Sequence, residues 1–128
     1  MNYKFVAMGM IALLMITACG KKNKSALKWL PQQASSKEEL QQNFPQSCVA
    51  GSREMFQALK VDESVLTDDF LQNGCGCTIQ SMNAELTEGE WTDLIDRLSA
   101  HKQPKKALKK HLKKIFETCY RNIITNGG

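Results

Sequence analysis

The sequence predicts an all-α fold, a small bundle of four to five helices cross-linked by two disulfides. Apolar residues between positions 36 and 128 recur at three- and four-residue steps, which is the period of a helix. No stretch alternates apolar and polar residues in the manner of a half-buried strand. The same region holds an even set of four cysteines: Cys48, Cys75, Cys77 and Cys119. At 128 residues, the chain has room for one domain.

The first eighteen residues predict a cleavable export signal. Lys4 precedes an uncharged apolar run from Phe5 to Ile16. As a helix this run would span about 18 Å, well short of the roughly 30 Å hydrocarbon core of a bilayer. A positive start, a short apolar run and small residues before a cleavage site are typical of a secretory signal. We therefore expect residues 1–18 to be removed; the alternative is a buried core helix.

The tetrapeptide Ile16-Thr17-Ala18-Cys19 resembles the lipobox of bacterial lipoproteins, in which an aliphatic residue and small residues precede a cysteine. The resemblance implies that Cys19 is acylated, becomes the mature N-terminus and anchors the protein to a membrane. Gly20 follows where inner-membrane lipoproteins of the enteric type often have Asp. This difference favours the outer membrane, with the domain at its periplasmic face.

Residues 19–35 are predicted to form the lipidated N-terminus and a flexible tether. Basic residues near an anchor are attracted to an anionic bilayer surface. For the short piece 26–30, which includes Trp29, contact with the membrane and contact with the domain are both open. The stretch 20–37 contains no acid and five lysines: Lys21, Lys22, Lys24, Lys28 and Lys37.

The helical domain is predicted to begin at Ser36, which has the spacing of a capping box with Glu39. This first helix would end near Phe44. Pro45 is typical of the first turn of a helix, with Asn43 available as a cap, so we expect a second helix to start there. Its apolar side would comprise Cys48, Met55, Phe56 and Leu59.

Three further helices follow from their start signals. Thr67 precedes two acids that complement the positive end of a helix dipole, and this helix ends near Leu86. Thr87 and Glu90 form another capping box. Pro104 suits the start of the last helix, which ends in Asn-Gly-Gly. The apolar faces of these helices contain Leu71, Cys75, Ile79, Met82 and Leu86, then Trp91, Leu94, Ile95 and Leu98, then Leu108, Leu112, Ile115, Cys119 and Ile123.

The spacing of Cys75 and Cys77 predicts the disulfide framework. Two residues apart on a helix, these side chains point about 200° apart and cannot easily bond each other. One should therefore bond Cys48 and the other Cys119, which places their helix in the middle of the bundle. Which cysteine takes which partner stays open. If Cys19 carries the lipid, the other four cysteines form an even set, which is what two disulfides in an exported chain require.

The alternative for these cysteines is a redox dithiol at Cys75-Gly76-Cys77, or a metal site that includes His101 and His111. Uncharged neighbours give no cause for a lowered thiol pKa, and the histidines lack the tight spacing of a zinc finger. We expect neither a cofactor nor a metal.

The charges are divided between two parts of the chain. The formal net charge is −10 between Glu38 and Asp96, and +8 from Arg97 to Gly128. The basic part predicts a surface for lipid phosphates, another anionic envelope component or an acidic partner protein. The alternative is a solvated face whose lysines pair loosely with the domain's own acids. The candidate binding residues are Lys102, Lys105, Lys106, Lys109, Lys110, Lys113 and Lys114.

Catalytic motifs and nucleic-acid signatures are not found in the sequence. It contains no G-x-S-x-G, no H-E-x-x-H and no aromatic residues interleaved with the lysines. The C…CxC…C pattern between Gln42 and Tyr120 resembles small exported helical proteins of uncharacterised function, a resemblance that implies a fold and disulfides but no activity. We expect a membrane-anchored binding module of the envelope and no enzyme. The alternatives are an envelope immunity or inhibitor lipoprotein, and a redox or metal-handling protein using Cys75 and Cys77.

Overall fold

The computed structural model describes residues 27–127, which form four α-helices and no strand. The predicted all-α class is confirmed, with the smaller of the two expected helix numbers. The predicted export signal and Cys19 lie outside the described residues. The helices are α1 (Lys37–Ala58), α2 (Asp68–Glu85), α3 (Glu88–Ser99) and α4 (Lys106–Gly127).

Helix α1 runs without interruption through Pro45, so the prediction of two helices meeting there is wrong. The helix starts as predicted, because the Ser36 hydroxyl accepts a hydrogen bond from the Glu39 backbone N–H at 3.1 Å. A proline inside a helix costs about 3 kcal/mol. Phe44 and Cys48, on either side of it, are completely buried; burial of the Phe44 ring at about 1.5–3 kcal/mol and the cross-link at Cys48 offset that cost.

The caps of α2 and α3 form as the sequence predicts. The Thr67 hydroxyl accepts a hydrogen bond from the Phe70 N–H at 3.1 Å. Thr87 and Glu90 bond each other reciprocally, at 3.1 Å to the Thr87 hydroxyl and 3.0 Å to the Glu90 carboxylate. Buried Leu86 lies between α2 and α3. These local interactions end one helix and begin the next within two residues.

Helix α2 packs against both α1 and α4 and is cross-linked to each. Cys75 bonds Cys48 of α1, and Cys77 bonds Cys119 of α4, with Cα–Cα distances of 5.8 and 5.7 Å. The pairing that the sequence left open is thereby decided, and the predicted central position of α2 is confirmed. Sequence separations of 27 and 42 residues correspond to about 3.5 and 4 kcal/mol of unfolded-state entropy in the chain-entropy model.

Part of the segment 27–35 is packed into the core, so the prediction of a flexible tether is wrong for this part of the chain. Leu27, Trp29, Leu30 and Ala34 are buried. The Trp29 ring stacks on Phe116 of α4 with centroids 4.8 Å apart. Burying such a large apolar ring in the domain is more favourable than leaving it in water. The described residues thus contain both disulfides and one continuous hydrophobic core.

Two glycines permit close approach between chain segments. A Cβ at Gly51 would overlap the carbonyl oxygen of Lys28, where residues 27–30 cross α1. A Cβ at Gly74 would overlap the ring of Tyr120. That ring is buried, and its hydroxyl donates a hydrogen bond to the Leu71 carbonyl at 3.0 Å. The distance between α2 and α4 therefore depends on the missing side chain at Gly74.

We predict opposite effects for alanine at two glycines of α2. Gly74→Ala should lower the free energy of unfolding by about 1–3 kcal/mol, because the methyl group overlaps the Tyr120 ring. Gly76→Ala is the matched control and should raise it by about 0.5–1 kcal/mol, because beyond its chain neighbours and the nearby backbone of its own helix no atom lies within 4 Å of its Cβ position. Urea unfolding of both variants measures this, and equal gains would contradict the close α2–α4 packing.

Candidate functional site

The predicted lysines meet at one end and one side of α4, which we call the basic surface. At 100° per residue, the five lysines within the helix fall in an arc of about 140°, opposite the buried Leu108, Leu112 and Ile115. Lys109 and Lys113 are half-buried, while the other members are exposed. The basic surface comprises Lys102, Lys105, Lys106, Lys109, Lys110, Lys113 and Lys114.

The domain's own acids leave most of this charge unpaired. Lys105 lies 3.6 Å from Asp93, an ion pair between α3 and the turn before α4. Within residues 27–127, no carboxylate comes within 4 Å of the other six lysines of the basic surface. The sequence also allowed a face whose lysines pair with the domain's own acids. Within the described residues, one of the seven lysines has such a partner.

The lysines also act against the stability of α4. Helices α1, α2 and α3 carry acids in their first turns, whereas α4 has none and begins with lysines at the positive end of its dipole. Lys106 and Lys110, like Lys110 and Lys114, are like charges four residues apart, each pair costing about 0.2–0.5 kcal/mol. Fold stability does not explain this arrangement, and such local conflicts are characteristic of functional sites.

Acidic groups border the basic surface at one edge, around His111. The His111 ring places Nδ1 3.2 Å from Glu90 Oε2 and Nε2 3.5 Å from Glu85 Oε1. The Thr87 backbone N–H and then the His111 ring hold the pKa of Glu90 below its usual value. The carboxylates near this edge thus face the histidine, which connects α4 to the α2–α3 turn.

Glu117 is the one acid within α4, and it is buried, with 8% of its surface exposed. Burial raises the pKa of its carboxyl group, although the charges of Lys113 and Arg121 lower it in part. A buried group with a raised pKa is more easily kept neutral in the folded state than in the unfolded chain. Burial therefore disfavours the charged form of the one carboxylate that α4 places beside its lysines.

Replacing Glu117 by Gln should raise the free energy of unfolding by an amount that depends on pH. Because its folded pKa is raised, the stability it contributes is complete below the unfolded value of about 4.3 and is lost as pH rises through the folded pKa. We expect Glu117→Gln to be more stable than the parent protein near pH 7, with the difference shrinking towards about pH 4. Urea unfolding across this range measures it. A variant less stable at neutral pH would show that the ionised carboxylate is favourably paired.

Cys75 and Cys77 do not form a dithiol pair, because each is bonded to a different helix. The Ser52 hydroxyl lies 3.7 Å from Cys48 Sγ and 3.8 Å from Cys75 Sγ in the buried interior. Burial raises the pKa of the nearby Tyr120 hydroxyl to about 12. Within the described chain, no three potential metal ligands converge. The cysteines therefore act as cross-links in this arrangement.

A groove of about 810 Å³ between α1 and α2 is a surface feature that the sequence did not indicate. Val49, Ile79, Gly76 and buried Cys75 line its apolar part. The polar glutamine side chains along it are exposed: Gln46, Gln57 and Gln72. The groove results from the crossing of two helices, so no local pattern could have revealed it.

Comparisons with known proteins give no relative from which a function could be transferred. No described helix combines the length and the apolar composition needed to cross a bilayer. No protein-family model, curated protein or solved structure matches the chain. Its function is therefore inferred from its own surfaces and charges.

Proposed function

We propose that the protein is a lipid-anchored, non-enzymatic binding module of the bacterial envelope. Acylated Cys19 would hold the domain at the periplasmic face of the outer membrane. The basic surface would bind an anionic envelope component or an acidic partner protein. The observation that carries this proposal is a set of seven clustered lysines of which one has an ion-pair partner within residues 27–127.

The two disulfides support the proposed location in the periplasm. Cross-links of this kind persist in oxidising surroundings such as the periplasm and are rare in the cytosol. Both join helices of a small core, where about 3.5–4 kcal/mol each is large beside a typical net stability of 5–15 kcal/mol. An export signal in residues 1–18 and a lipobox ending at Cys19 fit the same compartment.

The groups suited to acid–base chemistry support binding over catalysis. Both ring nitrogens of His111 face carboxylates, and the Tyr120 hydroxyl donates a hydrogen bond in the buried interior. A general acid or base must reach the substrate proton within hydrogen-bond distance. The Tyr120 hydroxyl lacks that access and the half-buried His111 ring is engaged by two carboxylates, whereas the lysines of the basic surface are mostly exposed.

The anchor can be tested by fatty-acid labelling of the full chain in a Gram-negative host. Wild-type protein should incorporate label and fractionate with membranes, because acyl chains bury many methylene groups at about 0.8 kcal/mol each. Cys19→Ser should lose the label. As a control, double replacement of Cys77 and Cys119 by Ser removes two other cysteines and should keep it. Label retained by Cys19→Ser would contradict the anchor.

The basic surface can be tested by capture from envelope extract, with residues 20–128 as bait. Lys106→Glu should weaken capture and at the same time raise the free energy of unfolding by about 0.5–1.5 kcal/mol. The gain arises because an acid in the first turn suits the dipole and attracts Lys110. Lys60→Glu changes the net charge equally on an exposed turn outside the basic surface and should leave capture unchanged.

Charge reversal of Lys105, Lys106, Lys109 and Lys110 together should abolish capture. Equal capture by this variant and the parent protein would refute the assignment of the basic surface. Circular dichroism and urea unfolding of each bait confirm that a lost partner does not reflect a lost fold.

A further inference from the structure

The chain from Cys19 enters the domain beside the basic surface. Leu27 and Lys28 line a small cavity together with Gln103, which lies between Lys102 and Lys105 in sequence. Two residues further, Trp29 stacks on α4. The described segment that follows the proposed anchor therefore lies beside the turn that carries Lys102 and Lys105, and it packs on the middle of α4.

The covalent chain limits how far this end of the domain can be from an anchor at Cys19. Leu27 follows Cys19 by eight positions in the chain. A fully extended chain spans at most about 3.3–3.6 Å per residue, which sets an upper limit of about 26–29 Å. Anchoring thus makes contact between the basic surface and the bilayer an intramolecular event with a high effective concentration.

We propose that the anionic component is the bilayer itself, so that the basic surface rests on anionic lipid headgroups of the leaflet that holds the anchor. This inference rests on the proposed lipid anchor and names the partner of the same surface. Lysines near an anionic bilayer are attracted strongly, but only within a Debye length of about 8 Å at physiological ionic strength. The adjacency of Leu27 and α4 allows that approach.

The chemistry of the surface favours lipid over a protein partner. Protein interfaces are depleted in lysine and depend on buried aromatic or arginine side chains. In the described part of α4, Phe116 and Tyr120 are buried, and their surfaces are used within the core. Flexible, strongly hydrated lysine ammonium groups suit a diffuse layer of phosphates better than one fixed, planar partner.

Vesicle co-sedimentation tests this inference. Residues 20–128, which contain both disulfides and the described core, are mixed with phosphatidylcholine vesicles, or with vesicles in which about a third of the lipid is phosphatidylglycerol. We expect binding to the anionic vesicles alone, and its loss when salt shortens the Debye length to about 3 Å near 1 M. Lys60→Gln, the control outside the basic surface, should change the affinity less than about threefold.

The decisive variant replaces Lys105, Lys106, Lys109 and Lys110 by Gln. At about 1 kcal/mol per lysine and 1.4 kcal/mol per tenfold change, affinity for anionic vesicles should fall roughly 10³-fold. Undiminished binding of this variant, or no binding of the parent protein to anionic vesicles, overturns the inference. Lysine-dependent capture of an envelope protein without vesicle binding would overturn it while leaving the proposed function intact, whereas absence of fatty-acid label at Cys19 would refute the anchor itself.

Acetylation footprinting extends the test to the full anchored chain. In anionic vesicles the lysines of the basic surface should be protected from reagent relative to zwitterionic vesicles, while Lys60 should react equally in both. Equal reactivity of Lys106 and Lys110 in both kinds of vesicle would overturn the inference.

Discussion

The cross-linking of α2 to helices on both of its sides is the constraint on which the rest of the structure depends. Successive residues of a helix are about 100° apart, so Cys75 and Cys77 must reach in nearly opposite directions. Their bonds to Cys48 and Cys119 place α1 and α4 on the two sides of α2. Gly74 then lets the Tyr120 ring lie against the α2 backbone, which draws α4 close without a clash.

The central position of α2 also explains why α4 can carry so many lysines. Its apolar side faces the core, and Phe116 is covered by Trp29 from the N-terminal segment. Apart from His111, the polar side of α4 makes no ion pair with another described helix, so its lysines are set by solubility or by a partner. Lysines at the positive end of the helix and in like-charged pairs are unfavourable for the helix alone. A partner that is itself anionic removes that conflict.

Features that depend on neighbouring residues could be predicted from the sequence, and features that depend on distant contacts could not. The caps at Thr67 and Thr87 are local hydrogen bonds, and both form as predicted. Pro45 locally disfavours a continuous helix, but the burial of Phe44 and Cys48 outweighs this local preference. Trp29 lies among lysines and resembled part of a tether, because its contact with Phe116 comes from the other end of the chain. The lysines of the basic surface were identified from sequence, but their lack of internal partners required the structure.

The division of charge along the chain becomes an orientation of the domain in three dimensions. The acidic part folds into α1, α2 and α3, and the basic part forms α4 with its preceding turn. The two could have neutralised each other, yet within residues 27–127 a single ion pair, Lys105–Asp93, joins the lysines of the basic surface to the acidic part, and Glu85 and Glu90 face His111. A domain with separated charges is attracted to an anionic surface on one side and repelled on the other, so the field orients it as well as holding it. Under the proposed anchor at Cys19, the tether joined to Leu27 and the field of the lysines would favour the same orientation, with α4 towards the proposed membrane and the α1–α2 groove facing away from it.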